Sequence, residues 1–147
     1  MCSLSQPYCM KKEETPVSPY RFEGKKVLLV EDNLLNQEIA QAILQDAGFT
    51  VDTADDGDVA VERLQDSKSG EFDLVLMDIQ MPKLDGYAAT RQIRTLPGDA
   101  ANVPIVAMTA NAFEEDKQKA IRAGMNAHIA KPIETDRLME TLSHILT

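Results

Sequence analysis

From Lys25 onward the chain alternates, five times over, a short apolar run with a segment whose apolar residues recur at helical spacing. The first run is "KVLLV". The others are "FTVDTA", "DLVLMD", "VPIVAMT" and "AHIAK". Runs this short and this apolar read as strands covered on both faces, which is the signature of a parallel sheet rather than an antiparallel one. Parallel strands need crossovers, and the intervening segments supply them as helices. In the first, Asn33 is an N-cap, Leu35, Ile39, Ile43 and Ala47 repeat at helical spacing, and Gly48 ends the helix. "DGDVAVERLQ", "GYAATRQIRTL" and "AFEEDKQKAIRAG" follow, and a last helix opened by Pro132 carries Leu138, Leu142 and Ile145. The expected fold is therefore α/β, a doubly wound parallel sheet with helices on both faces.

The 147 residues suffice for one such domain. Residues 1–24, with Pro7, Pro16 and Pro19 and few large aliphatics, read as a flexible leader or linker, and residues 25–147 as the folded domain. Cys2 and Cys9 both fall in that leader without metal-ligand spacing, so neither a disulfide framework nor a zinc site is expected. The formal net charge is −9, and residues 27–147 carry the excess acid. No basic stripe offers itself to nucleic acid, so direct nucleic-acid binding is not expected. The longest apolar runs fall far short of a membrane span, and no signal-type segment opens the chain, so a soluble, cytoplasmic protein is expected.

In open α/β sheets ligands bind beyond the carboxyl ends of the strands. The first strand ends in Glu31-Asp32, the third in Asp78, the fourth in Thr109 and the fifth in Lys131-Pro132. Carboxylates brought together repel one another by roughly 4 kcal/mol per pair at about 4 Å and an effective dielectric near 20. A hard divalent cation relieves this, and Mg2+ takes one or two carboxylates while leaving positions open to water and phosphate oxygens. Asp32 and Asp78 are then the expected direct ligands, with Glu31 close by or acting through water and the Gln80 backbone carbonyl completing the set. A carboxylate beside a metal and a lysine can attack phosphorus, with Lys131 and Thr109 meeting the charge on the phosphoryl oxygens. Asp78, central in the strand order, is the expected nucleophile, and an aspartyl phosphate the expected product.

The segments "LLVEDN", "LVLMDIQMPKLDG", "PIVAMTANA" and "AGMNAHIAKPI", in that order, resemble the receiver domains of two-component signalling, and the resemblance spans residues 27 to 147. "VEDNLLNQ", "MDIQMP" and "AMTANA" are most similar to receivers of hybrid sensor histidine kinases. The resemblance implies a flavodoxin-like (βα)5 fold with strand order 2-1-3-4-5. It implies Asp78 as phosphoacceptor, Glu31 and Asp32 as the acidic pair holding Mg2+, Thr109 as switch hydroxyl, and Lys131 as the phosphate-binding lysine before a cis bond to Pro132. At the second switch position, often Tyr or Phe in the family, this chain has His128; a lone histidine is usually a partly buried structural residue, but one that rotates inward on phosphorylation would make the switch pH-sensitive. Gln80 and Asn111 stand where family members tune water attack on the phosphoryl group, so they are expected to set its lifetime. The implied partners are a histidine kinase domain or a histidine phosphotransfer protein, docking on the first helix and the loop around Pro132, with Leu34 and Leu35 as apolar anchors. The expected role is a phosphoacceptor, switch or relay in the C-terminal part of a hybrid kinase, since no output module is visible after the last helix. A stand-alone single-domain regulator is the alternative.

Three rivals deserve comparison. A receiver-like interaction module that is never phosphorylated would not need all five site residues. A flavin-binding protein would carry a Gly, Ser and Thr-rich phosphate cradle after the first strand, where this chain has Glu31-Asp32. An aspartate-nucleophile phosphatase would place a second acid two residues after Asp78, where this chain has Gln80.

Overall fold

The structure, a computed structural model, describes residues 22–68, 70–79, 85–109, 114–131 and 133–146. Five strands, β1 (Lys26–Val30), β2 (Thr50–Ala54), β3 (Leu74–Asp78), β4 (Ile105–Thr109) and β5 (Ala127–Ala130), pair in parallel in the order β2-β1-β3-β4-β5. Five helices alternate with them: α1 (Leu34–Asp46), α2 (Gly57–Gln65), α3 (Gly86–Arg94), α4 (Glu114–Ala123) and α5 (Thr135–Leu146). The flavodoxin-like arrangement expected from the sequence is the one observed. A 3₁₀ turn at Gly98–Asn102, for which the sequence carried no clear signal, intervenes between α3 and β4.

β3 and β4 are buried along their whole length, as a strand covered on both faces must be. Alternate side chains build two cores. Leu28, Val30, Val75, Met77, Ile105 and Ala107 pack on the α2 and α3 side. Leu29, Leu74, Leu76, Val106, Met108 and Ile129 pack on the α1 and α5 side. The helices start where short acceptors cap them: Asn33 accepts from the Asn36 amide, Asp56 from Val59 and Asp85 from Ala88. α1 stops at Ala47, and Gly48 follows with φ 108°, a conformation that favours glycine.

Two features depart from the sequence reading. In α1 the residues facing the sheet are Gln37, Ala40 and Leu44, while Leu34, Leu35 and Ile39 are 68, 65 and 49% exposed. The Leu35–Ile39 repeat therefore marks an outward stripe. Phe22, which falls within the segment read as leader, is buried, stacks on Phe49 with ring centroids 4.8 Å apart, and donates its amide to the Ala47 carbonyl.

At the amino ends of the strands the Arg94 guanidinium donates to the Gly124, Ala101 and Val103 carbonyls and to Asn126 Oδ1. This fastens the end of α3 to the segments that lead into β4 and β5. Burial lowers the pKa of Arg94, but so many acceptors keep a guanidinium charged.

Candidate functional site

Glu31 and Asp32 lie just beyond the last residue of β1, Asp78 and Thr109 are the last residues of β3 and β4, and Lys131 directly follows β5. The parallel register brings these ends together. Glu31 donates its amide to Ala54 O of β2, and Lys131 donates its own to Thr109 O. In the described part of the chain, Glu31, Asp32 and Asp78 each offer a carboxylate oxygen, and these atoms lie within 4.8 Å of one another. Glu31 and Asp78 are 1 and 3% exposed, whereas Asp32 faces solvent.

The buried acids are compensated from within. Lys131 Nζ is 3.0 Å from Glu31 Oε1 and 3.1 Å from Asp78 Oδ1. Burial acts to lower the pKa of the Lys131 ammonium. Hydrogen bonds to Glu31 and Asp78, together with their charges, outweigh that and hold it above its ordinary value. The other oxygen of Glu31, Oε2, accepts from the Asn33 amide at 3.1 Å. Both Glu31 oxygens thus have protein partners, while Asp32 stays at the solvent side.

Three carboxylates against one ammonium leave net negative charge in a small space, and every donor is a hard oxygen. That set fits Mg2+, with Asp32 and Asp78 as candidates for direct contact and Glu31 behind them. Gln80, whose carbonyl was expected to complete the set, lies outside the described residues. So do Asn111 and Pro132, expected to tune phosphoryl lifetime and to form a cis bond. Thr109 is buried. In the β4–β5 register Ala107 opposes His128 and Thr109 opposes Ala130, so His128 and Thr109 project to the same face of the sheet. His128 is half-buried and borders a cavity of about 390 Å³ with Glu134, Arg137 and Glu140.

Two further residues support the site. Gly86, the first residue of α3, packs directly beneath Asp78: a Cβ there would come within 2.6 Å of Asp78 O and 3.0 Å of Ile79 Cα. Gly86 N donates to Ile79 O, and the buried Thr90 hydroxyl donates to Gly86 O at 2.7 Å. The chain can leave β3 and enter α3 this tightly only with no side chain in between. The second support is Gln37, whose signal was a polar residue in phase with Ala40 and Leu44.

The chain is similar to known proteins over most of its length. The model of the response regulator receiver domain matches residues 27–143. Hybrid signal transduction histidine kinase B of Dictyostelium discoideum is 40% identical over 139 residues, which span 88% of this chain but 7% of that kinase. The receiver domain of the sensor histidine kinase PA1611 from Pseudomonas aeruginosa PAO1, solved with a magnesium ion coordinated in its active-site cleft, superposes with a TM-score of 0.75 at 40% identity, covering 84% of this chain and 98% of that one. The Ssk1 receiver domain of Saccharomyces cerevisiae, solved with the histidine phosphotransfer protein Ypd1, gives a TM-score of 0.76 at 32% identity, over 85% of this chain and 90% of the matched one. With its sheet order, its acidic cluster and its lysine in place, the chain belongs to the response regulator receiver domain family.

Proposed function

We propose that the chain accepts a phosphoryl group from a phosphohistidine onto Asp78 and passes the change on, as a switch or a relay step, within a hybrid histidine kinase. The observation that carries this reading is the Lys131 ammonium set between Glu31 and Asp78, beside an acid cluster suited to Mg2+. An Asp78 carboxylate oxygen forms the new O–P bond while the P–N bond to the donor imidazole breaks, and the departing nitrogen keeps the electron pair. Bound Mg2+ supplies neutralisation of the phosphoryl oxygens. The flexible Lys131 stem lets its ammonium turn from Glu31 and Asp78 toward the added oxygens. Thr109, at the end of the neighbouring strand, donates its hydroxyl to the same group. His128, on the face shared with Thr109, follows into the space vacated, and the α4–β5–α5 surface changes. Gln80 and Asn111 set how long the phosphoryl group survives.

The donor is a histidine kinase domain or a histidine phosphotransfer protein. Leu34, Leu35 and Ile39 form an exposed apolar face on α1. A small cleft lined by Glu31, Asn36, Ile39, Lys131 and Ile133 leads from that face to the site. The Ssk1 receiver, with the same fold, was solved on such a phosphotransfer protein. No described helix is long and apolar enough to cross a membrane. The acidic charge argues against direct nucleic-acid binding, and the reading sets the reaction in the cytoplasm.

Intact-mass measurement after treatment with acetyl phosphate and Mg2+ tests the reading. The wild type gains the mass of one phosphoryl group, and EDTA or Asp78→Asn abolishes the gain. A wild type that gains nothing, or an Asp78→Asn variant that gains as much, refutes it.

A further inference from the structure

Gln37 is a buried polar side chain on the inward stripe of α1, where Ala40 and Leu44 continue the same face. A buried amide is tolerated only when its donors are used. Its Nε2 donates to the Glu31 carbonyl at 3.1 Å and to Asp55 Oδ1 at 3.3 Å. The Glu31 carbonyl belongs to the peptide unit joining Glu31 to Asp32, so rotation of that unit re-aims the Asp32 carboxylate. The other side of Glu31 is already fixed, since its amide donates to Ala54 O and its carboxylate accepts from the Asn33 amide. The Glu31–Asp32 peptide follows these anchors, and Gln37 holds its carbonyl. Through Asp55 the same side chain ties this peptide to the β2–α2 turn.

We infer that Gln37 is a positioning residue for the metal site, setting the direction of Asp32 by clamping the peptide before it. This rests on the reading of Glu31, Asp32 and Asp78 as the Mg2+ site. Groups that orient metal ligands without touching the metal typically contribute 10- to 100-fold in affinity. A single neutral hydrogen bond on the ligand's backbone belongs at the low end.

The test is a calorimetric titration of Mg2+ alone into wild type, Gln37→Met and Val59→Ala. Gln37→Met keeps length and helix propensity but has no donor. Val59→Ala loosens the core on the other side of the sheet and controls for general destabilisation. Gln37→Met is expected to bind Mg2+ about tenfold more weakly, and Val59→Ala within twofold of wild type. In acetyl phosphate reactions Gln37→Met raises the Mg2+ concentration for half-maximal rate and leaves the rate at saturating Mg2+ nearly unchanged. In the wild type, the Gln37 side-chain amide NMR signals shift along the same Mg2+ titration curve as the Asp32 backbone amide. A Gln37→Met affinity within twofold of wild type overturns the inference. Should that variant not fold, a Gln37 amide that ignores Mg2+ while Asp32 responds overturns it equally. A wild type that binds no Mg2+ overturns the metal-site reading, and the inference with it.

Discussion

Replacing Asp32 with Asn should make the metal-free protein more stable. Asp32 offers an oxygen within 4.8 Å of both Glu31 and Asp78, and the Lys131 ammonium is bonded to those two acids. Each repulsive pair at that distance costs about 3.5 kcal/mol at an effective dielectric near 20, and about 0.9 kcal/mol in bulk water. Asp32 is exposed, so the water value is nearer, and Lys131 offsets part of the sum. The expected gain for Asp32→Asn is therefore about 1–2 kcal/mol in EDTA. The assay is urea unfolding with EDTA and with saturating Mg2+, at low and high salt. In EDTA the variant is the more stable protein, and its advantage shrinks as salt screens the exposed charge. With Mg2+ the wild type gains stability through linkage and the variant gains much less. An Asp32→Asn protein no more stable than wild type in EDTA would show that these acids do not strain one another. The electrostatic case for a metal here would then fail.

Two further outcomes bear on the supports of the site. Because the Lys131 pKa is raised in the folded state, the stability it contributes is fully present below the ordinary lysine pKa and is lost as pH rises through the folded value. The unfolding free-energy difference between wild type and Lys131→Met should hold steady from pH 7 to 9 and narrow above about pH 10.5; a gap that widens there refutes the ion pairs. Gly86→Ala should destabilise by about 1–3 kcal/mol, because the new methyl group meets Asp78 backbone rather than a yielding side chain; unchanged urea midpoints would show that the β3–α3 junction has room.

Much of this molecule was legible because its strands are unambiguous. "KVLLV" and "LVLMD" are too apolar to lie on a surface, and their polar last residues gather at one edge once the strands are parallel. The acids, Thr109 and Lys131 could thus be picked out before any coordinates. The helix phases were harder. In α1 the series Leu35, Ile39, Ile43 and the series Gln37, Ala40, Leu44 both have helical spacing, and nothing local says which faces the sheet. Gln37 was missed for that reason: its burial is a tertiary fact. Phe22 was missed because one aromatic beside prolines and charges carries no periodicity, and its partner Phe49 is distant in sequence. Arg94 carried no signal of its own, because its acceptors come from two segments distant in sequence, 101–103 and 124–126.

The phase of α1 also links chemistry to recognition. A helix chosen only for stability would turn Leu34, Leu35 and Ile39 inward, since burying each such side chain stabilises by about 1.5–3 kcal/mol. It would leave an amide such as Gln37 in water. α1 does the reverse in its first two turns and resumes the ordinary pattern at Ala40, Leu44 and Ala47. Violations of local pattern that cluster in one place mark function more reliably than scattered ones, and these cluster within two turns of Glu31 and Asp32. The outward leucines and isoleucine offer a partner an apolar surface beside the acids. The inward glutamine holds the backbone of those acids. One helix thus carries, on opposite faces and within two turns, an exposed apolar stripe and the amide that holds the Glu31 carbonyl.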